Sequence, residues 1–198
     1  MLLEVGDLLQ VILKAEPLVT ISYREAFLKA CQLDPWHTSL VELRTCLQRF
    51  ELDQVFQQDE ADVDQYLFLL MSHVVEPYLA QYNAPVGVID FPPSQAALAS
   101  VNNGVAERFE VYYAGVELAN GFHELTDASL QATRFEHDLK MRRARGLPTP
   151  KPDVHLLDAM QHGLPASSGV ALGLDRLIAL ALGHTSIQES MAFDILRA

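Results

Sequence analysis

Residues 169–176 read Gly169-Val170-Ala171-Leu172-Gly173-Leu174-Asp175-Arg176, small side chains alternating with branched apolar ones before an acid and an arginine. In an extended strand, Gly169, Ala171 and Gly173 line one face while Val170, Leu172 and Leu174 fill the other. Glycine weakens a strand, so two of them on one side imply that something flat lies against the backbone there. Arg176 falls where a helix over Leu174–Leu182 is expected to begin, and its planar fork suits a phosphate or a purine face. A tightly packed strand-to-helix crossover is the alternative reading of the same pattern.

A second unusual ribbon precedes it. Val105–Tyr113 alternates polar and apolar residues, Ala114-Gly115 is a tight-turn signal, and 116–124 returns antiparallel. The returning strand, Glu117-Leu118-Ala119-Asn120-Gly121-Phe122-His123-Glu124, holds more polar chemistry than packing requires. Alternation puts Asn120, Phe122 and Glu124 on one face, a group able to hold an ammonium against an aromatic edge. Glu117 joins them only if a bulge, expected at Gly121, shifts the register. Two carboxylates brought together need a cation between them, and magnesium bridging to nucleotide phosphates would serve. Arg108 on the outgoing strand is an anion contact or a cross-strand ion pair. A hairpin with its charges in water is the bland alternative.

Around these ribbons the chain of 198 residues is 49% hydrophobic and 20% charged, a composition that fits one globular domain. A formal charge of −12 argues against broad gripping of nucleic acid. Cys31 and Cys46 make neither a disulfide framework nor a metal cage, and buried free thiols are expected. With no membrane-length apolar run and no basic start, the expected location is cytoplasmic, away from membranes. The seven histidines lack zinc-site spacing, and there is no P-loop or dinucleotide fingerprint.

Helical periodicity runs through residues 2–13, then 23–31 behind a Ser22 cap, then about 38–49 and 60–80, giving a mostly helical lobe over 1–82. From 83 to 198 a strand at Val86–Phe91, the hairpin and the glycine strand alternate with helices at about 128–145 and 152–162. Lys140, Arg142, Arg143 and Arg145 gather where cations offset a helix dipole, with partner docking as the other role. The expected class is α+β, an antiparallel sheet flanked by helices.

The glycine pattern running into Asp175-Arg176 resembles motif 3 of the class II aminoacyl-tRNA synthetases, whose arginine contacts ATP. Ala106-Glu107-Arg108-Phe109-Glu110 with 115–127 resembles the lysyl branch. That resemblance implies ATP and magnesium as cofactors. It assigns Glu117 and Glu124 to the metal, Glu117, Leu118, Gly173 and Arg176 to the nucleotide, and Asn120, Phe122, Glu124 and Ala171 to the lysine pocket. Glu117 and Arg176 would act in catalysis. Ala171 stands where lysyl-tRNA synthetases carry glycine, and residues 91–99 also look like the stand-alone paralogs that attach (R)-β-lysine to elongation factor P.

Motifs 1 and 2 of such enzymes are missing from these 198 residues, so the chain is expected to be the C-terminal portion of one catalytic domain, beginning inside a helix. On that reading, the whole enzyme would be a homodimer, and these residues alone would bind ATP weakly. The loop at 100–104 is shorter than the resemblance leads one to expect. The implied partners are lysine or (R)-β-lysine and elongation factor P, with tRNA not expected. The rival readings are a lysyl-tRNA synthetase fragment and a non-catalytic binding module of synthetase fold.

Overall fold

Ser22 opens a helix as its side chain accepts a hydrogen bond from the Glu25 amide at 3.1 Å, and this helix leads into the protein's main core. The computed structural model describes residues 1–56 and 60–194. Its elements run α1 (Leu2–Leu13), β1 (Val19–Ser22), α2 (Tyr23–Cys31), α3 (Leu40–Arg49), α4 (Val63–Leu70), α5 (Glu76–Leu79), β2 (Val86–Phe91), β3 (Val101–Asn102), β4 (Val105–Tyr113) and β5 (Val116–His123). Then follow α6 (Ala128–Ala144), α7 (Val154–Gln161), β6 (Ser168–Leu172) and α8 (Leu174–Leu182). The class is α+β, as expected.

One six-stranded sheet organises the chain, in the order β1-β2-β4-β5-β6 with β3 beside β4. Every pair from β2 to β6 is antiparallel, whereas β1 runs parallel to β2. The β4–β5 hairpin turns at Ala114 and Gly115, both with positive φ (49° and 78°), the twist that matches flanking strands.

The mostly helical lobe departs from a plain run of helices in two places. One short strand belongs to it, since Val19–Ser22 pairs with β2 and only its tertiary partner makes that short segment a strand. The helix expected over 60–80 is also interrupted, as a π-helical turn at Met71–Val75 separates α4 from α5. Pro77 supplies the cause: it has no amide hydrogen to donate and its ring crowds the carbonyl one turn earlier.

Each face of the sheet is covered differently. On one face Val5, Leu9, Phe109, Val111, Leu118 and Leu177 bring α1 and α8 against the sheet. On the other, Ile21, Val86, Val88, Phe91 and Tyr112 pack with Tyr23, Phe27, Leu67 and Val75 of the helical lobe. Burying each such side chain stabilises the fold by about 1.5–3 kcal/mol. The lobe meets the sheet at β1, β2 and β4, and Ala171 on β6 stays exposed. An open shelf therefore remains on the lobe side of β5 and β6. Among the described residues no helix is long and apolar enough to cross a membrane.

Candidate functional site

A regular hairpin closing at Ala114-Gly115 would set Glu110 opposite Ala119, and it would leave Asn120 and Phe122 on the far face from Glu117. The observed register instead pairs Tyr112 with Glu117, Val111 with Ala119, Glu110 with Asn120 and Arg108 with Phe122. One residue, Leu118, is extra. The bulge therefore lies at Leu118 and Ala119 and not at Gly121. Both of their side chains turn into the α1–α8 core, so Glu117, Asn120 and Phe122 all emerge on the lobe side.

The second ribbon lies directly alongside. Gly169 pairs with Phe122 and Ala171 with Asn120, which puts the small residues on the same face as the acids. Gly121, on the opposite face, has no room for a Cβ, which would run into the Phe109 ring and the Gly169 carbonyl. A Cβ at Gly169 would collide with the Glu124 carboxylate, so that acid lies over the bare backbone. Gly173 ends the strand, donating to the Leu118 carbonyl at 2.9 Å. Arg176 then curls back over Gly173 and donates from Nη1 to the Glu117 carbonyl at 2.7 Å, with the Glu117 carboxylate 3.6 Å away.

Glu110 is the buried centre of this face, 7% exposed. It accepts from Arg108 and from the Tyr112 hydroxyl, and from Asn120 Nδ2 at 3.3 Å. Arg108 is thus an internal ion-pair partner, not a free anion contact. It also donates to the Gln95 carbonyl at 2.8 Å and stacks 4.7 Å over Phe91. Asn120 Oδ1 and Arg108 Nε are buried without hydrogen-bond partners. A cavity of about 160 Å³ separates α4, α5 and the sheet here, with Glu76, Glu110 and Glu117 in its wall.

Burial and the nearby Glu110 charge push the Glu117 carboxyl up, while Arg176 pulls it down. Glu76 is pushed from 4.5 to about 7, first by burial and then by Glu117 and Glu110. A carboxyl with a raised folded-state pKa binds its proton more tightly when folded. Its contribution is therefore full below pH 4.5 and is lost as pH rises to about 7. For this half-exposed group the loss is of order 1 kcal/mol after solvent screening. Urea unfolding at pH 5 and pH 8 should show Glu76→Gln reducing the fall seen in the parent and leaving the variant more stable at pH 8.

The sequence matches the family described as tRNA synthetases class II (D, K and N) over residues 6–197. The chain belongs to this class II synthetase family. It is 50% identical over 198 residues to the elongation factor P (R)-beta-lysine ligase of Edwardsiella ictaluri, covering 98% of this chain and 60% of that protein. The protein of the same name from Salmonella typhi is 48% identical with the same coverage. The chain thus spans 60% of the length of these curated relatives.

Glu117 stands near the start of β5 and Glu124 just past its end, where it bridges to Ala99. The carboxylates that share Glu117's surroundings are Glu110 and Glu76, neither singled out as a metal ligand from sequence. Leu118 is 2% exposed with its side chain on the opposite face, so any ligand contact must use its backbone. The α6 cations serve structure in part, since Arg145 pairs with Asp62 at 2.7 Å and Arg142 donates to the Pro148 carbonyl at 2.6 Å.

The donor set fits a hydrated magnesium carried on phosphates. Glu117 and Glu110 share one wall, and no cluster of three metal-binding side chains occurs among the described residues. Magnesium usually keeps one or two protein carboxylates and takes its other ligands from water and substrate. Asn120 Oδ1, a buried acceptor without a donor, suits an ammonium.

Proposed function

We propose that this chain forms the nucleotide and amino-acid floor of an ATP-dependent ligase that adenylates (R)-β-lysine or lysine and passes it to a lysine of elongation factor P. The observation that carries this reading is the shared face of two neighbouring ribbons. One offers bare backbone at Gly169 and Ala171, and the other offers Glu117, Asn120 and Phe122. Relatives named for that ligation add support.

Arg176 reaches across from α8 to hold the nucleotide, and its fork is already fixed on Glu117. Asn120 and Glu124 take the substrate's ammonium groups, and Phe122 provides an aromatic wall. Ala171 in place of a glycine adds one methyl to the pocket floor, enough to shift discrimination between amino-acid isomers by about 1–3 kcal/mol. Magnesium, held by Glu117 and Glu124 with Glu110 behind Glu117, would offset phosphate charge. In the reaction a carboxylate oxygen attacks the α-phosphorus and pyrophosphate departs, so positioning and charge compensation are the protein's main tasks. The target lysine amine then attacks the acyl carbon and expels AMP.

ATP–pyrophosphate exchange by the intact gene product tests the reading. Exchange should depend on (R)-β-lysine or lysine, and radiolabel should then move to elongation factor P and not to tRNA. Labelling of tRNA would make it a lysyl-tRNA synthetase, and absence of exchange would make it a binding module.

A further inference from the structure

Away from the acidic shelf, the helical lobe brings two thiols together. Cys31 closes α2 and Cys46 lies on α3, 0% and 5% exposed, both reduced and both within the main core. Cys46 Sγ donates to the Cys31 carbonyl, 3.9 Å away, which places the two cysteines side by side. One turn after Cys46, Arg49 turns its guanidinium inward. Its Nη2 lies 3.5 Å from Cys46 Sγ, and the same nitrogen donates to the Cys31 carbonyl.

Such surroundings are not those of an inert core cysteine. Apolar burial alone raises a thiol's pKa and silences it, whereas a neighbouring cation and a donated hydrogen bond favour the thiolate. Here both act on Cys46, which is held below its ordinary value mainly by the hydrogen bond from Cys31 and by Arg49, while Cys31 is pushed up. The other charged and titratable groups around the pair are Asp34, His37 and Glu42. Asp34 is engaged by Arg24 at 2.6 Å, and Glu42 by the Ser39 cap at 2.8 Å. Arg49 is therefore the charge that addresses the sulfur.

A cavity lies beside the two cysteines as well. A cavity of about 340 Å³ is lined by both cysteines and opens past the exposed side chains of Gln32, Glu42 and Thr45. That volume holds several waters or a small hydroperoxide. Neither cysteine lies in the acidic shelf, so the nucleotide reading above leaves this pair without a role.

We propose that Cys46 and Cys31 form a peroxide-reactive dithiol, with Cys46 as the attacking thiolate and Cys31 as the resolving thiol. Cys46 Sγ attacks one oxygen of a small hydroperoxide, the O–O bond breaks, and hydroxide or alkoxide leaves with the electron pair. The resulting sulfenic acid is attacked by Cys31 Sγ, which gives up its proton as water departs, and an S–S bond joins α2 to α3. Each sulfur loses one electron and the peroxide gains two.

The test treats the reduced protein with hydrogen peroxide and follows it by intact mass and peptide mapping. The expected product is a Cys31–Cys46 disulfide, lighter by two hydrogens and restored by dithiothreitol. Cys31→Ala should stop at a sulfenic acid that dimedone traps on Cys46, and Cys46→Ala should slow oxidation about tenfold or more. Arg49→Gln should move the pH profile of the reaction upward, with Arg49→Lys restoring part of it. Circular dichroism melts establish that each variant is folded. Oxidation of folded Cys46→Ala at the parental rate would overturn the proposal. So would an unmoved pH profile in Arg49→Gln, or a parent whose thiols react only once it is unfolded.

Discussion

Glu117→Gln is expected to lower ATP–pyrophosphate exchange by about 100- to 1000-fold, the usual cost of removing one charge-compensating group from a reacting centre. The same change should leave the fold intact or slightly firmer, because Glu117 shares its wall with Glu110 and Glu76 and burial already opposes its charge. Activity and stability should therefore move in opposite directions. Arg176 would keep its bond to the Glu117 carbonyl, which a side-chain change does not remove. The measurement is exchange rate against magnesium concentration, with urea unfolding alongside. If the carboxylate carries the metal, the variant should need more magnesium to reach half its maximal rate. A fully active Glu117→Gln would remove Glu117 from the chemistry, and loss of activity with loss of the fold would make it structural.

Glu110→Ala is expected to destabilise the protein by about 3–5 kcal/mol, as breaking one side of a buried ion pair does. Arg108 would retain the Gln95 carbonyl and the Phe91 ring, but its charge would lose its carboxylate. Tyr112 and Asn120 would lose an acceptor at the same time. Glu110→Gln keeps an acceptor for the Tyr112 hydroxyl and should cost less. Adding Arg108→Met to Glu110→Ala should recover part of the loss, because it removes the uncompensated charge. Urea midpoints for these three variants and for Arg108→Met alone, with the coupling they give, decide it, and an Ala variant within about 0.5 kcal/mol of the parent would contradict the pairing.

Much of this was readable along the chain. The Ser22 cap, the Ala114-Gly115 turn, the α6 and α8 boundaries and the alternation through Gly169 and Ala171 all depend on residues within a turn or a strand of one another. Local sterics and local hydrogen bonds govern them. The strand at Val19–Ser22 was invisible for the opposite reason, since four residues show too little pattern and only pairing with β2 defines them. Pro77 could have signalled the break in the helix over 60–80, but whether the chain kinks, stops or widens into a π turn depends on what packs against it.

The residue types of the site, the family they belong to and the two ribbons that carry them follow from the order of amino acids, because motif spacing is a one-dimensional property. Which acids meet does not. A single extra residue at Leu118 in the β4–β5 ladder turns Glu117, Asn120 and Phe122 to one side and matches Glu110 to Asn120. That choice arises from burying Leu118 and Ala119 together beneath α1 and α8. Long-range packing likewise joins Cys31 to Cys46 across two helices. Cross-strand register and helix docking are settled by the free energy of the assembled core, which no short window of sequence contains.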